Sequence, residues 1–188
     1  MSDETSNTRA RWSTHLLAVS GLVPVIGSPP PSAALRTARP GVESLDLLLW
    51  RCATDAAVPL PPDLLQGERA PLRAWLSDGP IEVWTEVELS SLHALWRLAR
   101  LRADPRLRGR ALGAMRWHLE HTQPDNATNR PWALHAFLQE GSAEGLAYAG
   151  TLLHNALAHG GAPEPLSAWI LMDAGVELAS GHSGAGAG

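Results

Sequence analysis

His118 and His121 stand three residues apart in a stretch whose spacing predicts a helix, which places both imidazoles on one side of it. Two ring nitrogens so spaced can ligate one divalent transition metal, with His135, Asp125 or His159 completing the set from a neighbouring helix. The pair equally suits the C-terminal turn of a helix, where a cation complements the carbonyl end of the dipole. No His-Glu-x-x-His motif accompanies them, and the chain has a single cysteine, Cys52.

Directly after His121 comes a polar loop, Thr122 to Trp132. Within it Asp125, Asn126, Asn129, Arg130 and Trp132 make up a candidate ligand-binding set, with His135 on the next helix. Arg130 can hold a carboxylate or phosphate at two points, and Trp132 can offer a face to a ring or sugar. Asp125 becomes a usable general base if it is desolvated. The structural reading of the same residues is a turn, because Asn, Asp and Pro shape tight turns through their own backbone. On a later helix Thr151, Asn155 and His159 recur every four residues and draw one polar stripe, flanked by Tyr148 and His154. That stripe either lines the same pocket or joins helices through hydrogen bonds. No nucleophile elbow, phosphate-cradling loop or dinucleotide fingerprint is present.

The elements that must position these residues are helices. Leu45, Leu48, Leu49 and Cys52 follow three-four spacing and predict a helix over 42–54, stopped by the Pro-rich run after Val58. A short helix is expected over 71–76. Thr85 and Glu88 fit a capping box opening a helix to about Arg102. Asp104-Pro105 opens the next, to about His121. Helices over 131–140, from Ser142 to about His159, and from Glu164-Pro165 to about Ser180 follow. Leu92-His-Ala-Leu95 and Leu134-His-Ala-Phe137 repeat at a similar place in two helical pairs, which suggests tandem hairpins.

The expected fold is therefore all-α: stacked antiparallel helical hairpins in a solenoid- or toroid-like array, with an irregular N-terminal arm. The expected boundaries are a Pro-rich arm over 1–41 holding at most a short helix at 12–19, one helical domain over 42–180, and a disordered Gly/Ser/Ala tail over 181–188.

Bulk composition narrows the partners. All fifteen basic residues are arginine, and seven lie between Arg97 and Arg116 against Asp104 alone. That segment is a candidate nucleic-acid or phosphate surface, and also reads as a solvated helix face. The lone Cys52 excludes an internal disulfide. The N-terminus is acidic and lacks a signal-peptide pattern, and the apolar run Leu16–Ile26 is too short for a bilayer, so a soluble cytoplasmic protein is expected without a membrane partner. The function expected is a helical binding or scaffold module for a protein partner or small polar ligand, with a groove at residues 121–135 and 148–159. The alternative is a small hydrolase- or isomerase-like enzyme, metal-assisted, acting on a polar substrate through Asp125, Asn126, Arg130, His135 and Asn155.

Overall fold

The computed structural model describes residues 3–26, 28–31, 44–74, 80–123, 128–158 and 161–180. They form seven helices and no strand, so the chain is all-α over the described residues. None of these helices is long and apolar enough to cross a membrane. The chain divides into two compact units, residues 1–29 with 129–188, and residues 30–128.

The unit over 30–128 holds α2 (Leu45–Thr54), α3 (Ile81–Leu101) and α4 (Pro105–His121). In α2 the apolar spacing buries Leu49, Trp50 and Cys52 against α3. Trp50 fixes the register there: its Nε1 donates to Ser90 Oγ at 3.1 Å, and its ring lies 5.5 Å from that of His93. The α3–α4 turn is tight. Ala103 takes a left-handed φ of 48°, its amide bonds to the Arg100 carbonyl, and Asp104 then caps α4 by accepting from the Arg106 amide at 2.8 Å. Pro105 occupies the first helical position, where a missing amide hydrogen removes nothing the helix uses.

The expected start of α3 is corrected. Thr85 is not its cap but lies a full turn inside, buried. The helix begins after Pro80, whose carbonyl accepts the Trp84 amide. Burial of Trp84, Thr85 and Glu88 prolongs the helix past the local capping signal. Of the helix expected over 71–76, residues 71–74 are not helical and offer the Leu72 and Arg73 amides to Glu88, while residues 75 and 76 lie outside the described residues.

The other unit is built from α1 (Asp3–Ser20), α5 (Leu134–Glu140), α6 (Ala143–Leu157) and α7 (Pro165–Ser180). An 18-residue α1 replaces the irregular start expected from the sequence. Its inward positions include Ser13 and Ser20 beside Leu16, so the apolar period is thin. Those serines suit a close crossing with α7. Ser13 Oγ donates to the Gly175 carbonyl at 2.8 Å, and a Cβ on Gly175 would come within 2.8 Å of Leu17 Cγ. Arg9 adds a bond to the Gln139 carbonyl. α7 is buried on every face from Leu166 to Leu178.

Gly141 closes α5 at a left-handed φ of 77°, and Ser142 caps α6 by accepting from the Gly145 amide at 3.0 Å. Gly145 lets α6 approach α5: a Cβ there would meet the Phe137 carbonyl oxygen at 2.6 Å. Phe137 and Tyr148 stack beyond it, with centroids 4.1 Å apart.

Two glycines of α4 separate close packing from helix propensity. A Cβ on Gly113 would lie 1.8 Å from the Glu68 carbonyl oxygen, whereas nothing lies within 4 Å of one on Gly109. Gly113→Ala should lower the unfolding free energy by roughly 2–4 kcal/mol, because backbone must move. Gly109→Ala should raise it by up to about 1 kcal/mol. Urea unfolding of both variants checks the pair.

Candidate functional site

A set of enclosed, charged polar groups lies in the unit over 30–128. Glu88 on α3 and His118 on α4 are both fully buried, and Arg110 on α4 nearly so. They reach inward because 84-88-91-95 on α3 and 107-110-114-118 on α4 are buried stripes at helical spacing. Glu88 Oε1 accepts the Leu72 amide at 2.5 Å and Oε2 accepts the Arg73 amide at 2.8 Å. Arg110 donates Nε to the Leu64 carbonyl at 3.0 Å, Nη1 to that of Ala70 at 2.8 Å and Nη2 to that of Pro71 at 2.7 Å. Burial pushes the Arg110 guanidinium below its ordinary value, and the Glu88 charge opposes that push.

His118 Nε2 stands 3.5 Å from Glu88 Oε1, and its Nδ1 stands 3.1 Å from Thr122 Oγ1. The rings of Trp84 and Trp117 lie 6.1 and 5.3 Å from the imidazole. Carboxylate and guanidinium thus fasten the segment 64–74 from α3 and α4, and the imidazole faces the carboxylate. Chemically the arrangement can hold charge and a proton.

The two histidines proposed as a metal pair occupy different surroundings. His118 is enclosed, whereas His121 is exposed and stacks on Trp117 at 4.8 Å and 8°. A carbonyl only accepts, so the 2.9 Å contact from His121 Nδ1 to the Trp117 carbonyl puts a hydrogen on Nδ1. No three His, Cys, Asp or Glu side chains gather for a metal among the described residues. Asp125, Asn126 and His159 lie outside the described residues.

The remaining predicted positions belong to the unit that contains α5 and α6. Asn129 is exposed, and Arg130 is half-buried with Nε donating to Glu164 Oε1 at 3.2 Å. Trp132 and His135 are buried. The Thr151 hydroxyl donates to the Ala147 carbonyl one turn earlier, and Asn155 is half-buried. Arg130 and Glu164 are thus brought together, and Glu164 also caps α7 by accepting from the Leu166 amide. Partial burial pushes the Glu164 carboxyl up, but the Leu166 amide and Arg130 outweigh it and hold the group below its ordinary value.

The arginine run between Arg97 and Arg116 is not one displayed surface. Arg97 and Arg110 are buried, Arg102 donates to the Cys52 carbonyl, Arg106 pairs with Asp104, and Arg108 sits 5.6 Å above the Trp96 ring. Sequence reasoning missed Glu88 and Arg110 as site residues. The signal that could have found them is a charged residue on an otherwise inward-facing stripe, since an unpaired charge there is too expensive to bury.

Arg110→Met should cost about 3–5 kcal/mol, because it strands three carbonyls and removes the charge opposite Glu88. Adding Glu88→Gln should cost less than the two single effects summed, and a double-mutant cycle in urea measures the coupling. For Arg130 the expected effect is smaller and depends on pH. A depressed carboxyl contributes stability above its unfolded value of about 4.3, and that contribution fades as pH falls through the folded value. Arg130→Ala should therefore lose less than about 1 kcal/mol at neutral pH and nothing measurable once Glu164 is protonated. Unfolding at both pH values tests the sign. No protein-family model matches this chain, and neither does any curated protein or solved structure.

Proposed function

We propose that the chain is a helical binding or scaffold module, its helices arranged as stacked antiparallel hairpins, that engages a protein partner. The observation that carries this reading is the stretch after α1. Leu22, Val23, Val25 and Ile26 are 42%, 81%, 52% and 76% exposed. Large apolar side chains clustered so closely in water favour burial by a partner, at roughly 25 cal/mol for each Å² covered. Pro24 within the stretch lacks an amide donor, which suits side-chain docking better than strand pairing. Occupation of Arg130 by Glu164 supports a protein partner over a small anion, since an incoming carboxylate would have to displace an existing one.

A photo-crosslinking residue placed at Val23 or Ile26 in cells should give a discrete protein adduct, while one at the exposed Thr14 of α1 should not. Val23→Asp with Ile26→Asp should abolish that adduct from a neighbouring probe at Val25. The double substitution should leave the unfolding free energy within about 0.5 kcal/mol, as both sites are exposed. Equal labelling at Thr14 and Val23, or no adduct at any position, sinks the proposal.

A further inference from the structure

Ser13, Leu16 and Ser20 are the buried positions of α1, so helical spacing turns Thr8, Arg11, His15 and Ala18 to the opposite side. An open groove of about 920 Å³ runs beside that side, and Thr8, Arg11, Trp12, Thr14 and His15 are among the residues lining it. Small-molecule sites span roughly 300–1,000 Å³, so the groove has room for one. Its wall holds no carboxylate among the described residues. The described acid nearest along the helix is Glu4, seven residues before Arg11 and so about 10.5 Å of rise away.

Arg11 is exposed and, among the described residues, makes no hydrogen bond or ion pair. Arg130 differs, because Glu164 already holds it, and Arg9 is bound to the Gln139 carbonyl. A free guanidinium presents a planar fork of donors that fits a carboxylate at two points. One turn farther along α1, His15 stands edge-on to Trp12, with ring centroids 6.1 Å apart and planes at 77°. Trp12 is half-buried and His15 exposed, so both leave ring surface for a ligand to cover. A single permanent positive charge matches a monoanion, whereas a phosphate group near −2 would keep charge unanswered. A cation and aromatic surface about 5.4 Å apart along the helix fit an aryl group joined to a carboxylate by a short alkyl spacer.

We propose that Arg11, Trp12 and His15 form a binding site for a small aromatic carboxylate, its carboxylate on the Arg11 fork and its ring against Trp12 and His15. The site is separate from the docking stretch after α1, and its occupant is a small molecule.

Titration of the nitrogen-15-labelled full chain with 3-phenylpropionate tests it. The readout is the Trp12 indole N–H resonance, identified by its loss in Trp12→Phe, together with the Arg11 and His15 backbone amides. These should shift saturably, with a dissociation constant on the order of 1 mM, the range open to a ligand of this size. The indole resonance of the enclosed Trp50 should not move. Arg11→Ala should fold like the parent, since Arg11 bonds to nothing, and should weaken binding at least about tenfold. Arg11→Lys keeps the charge without the fork and should weaken it about threefold. The neutral 3-phenylpropanol should give no saturable shift, and phenyl phosphate should bind no more tightly than the carboxylate. An absent or unsaturable shift up to about 10 mM overturns the proposal. So does binding that Arg11→Ala leaves unchanged, an alcohol that binds as well as the acid, or phenyl phosphate that binds more tightly.

Discussion

A carboxylate taken out of water must be met by donors, and Glu88 is met by two backbone amides from a segment that is not helical. Arg110 completes the arrangement from α4 by taking three carbonyls of the same segment. Together the two side chains satisfy five backbone groups that no helix or sheet ladder serves. Such a segment can cross a helix as closely as it does at Gly113, because its backbone polarity is answered by buried charge. Exchanging either charge for an apolar group of similar size would fill the space and leave the backbone groups stranded.

The unit that holds α1 and α7 solves its packing by another route. Its close crossings rest on small residues, with Ser13 against Gly175 and Gly145 against the Phe137 carbonyl. Helices brought this near gain dispersion along their whole contact, and they tolerate little added volume. The unit over 30–128 joins buried charge to a close crossing at Gly113, while the other adds the buried Asp173 and Glu177 of α7 to its small-residue crossings.

How much of this could be read beforehand follows from where the signals are local. Asp104-Pro105, Ser142 and Glu164-Pro165 announce their helices because a cap acts on amides two or three residues away, and all three cap as expected. Thr85 with Glu88 carries the same pattern, yet Glu88 turns to a distant segment, so the pattern misplaces the start of α3. α1 escapes because serines hold inward positions that a hydrophobic period assigns to solvent. For the candidate site, adjacency on the helix brought His118 and His121 to attention, but the three-residue step put one inside and one outside. The partners of His118 come from Glu88 and Thr122, and the link to Glu88, thirty residues earlier in the chain, has no marker in local spacing.

The pairing of α1 with α7 bears on biosynthesis. Ser13 and Gly175 are 162 positions apart, while the other unit is contiguous in the chain. A nascent polypeptide emerging from the ribosome can complete α2, α3 and α4 from neighbouring sequence long before α7 exists. During that delay α1 has no surface to cover. Its sparse apolar content, which hides it from pattern recognition, also leaves the waiting α1 little apolar surface of its own to shield.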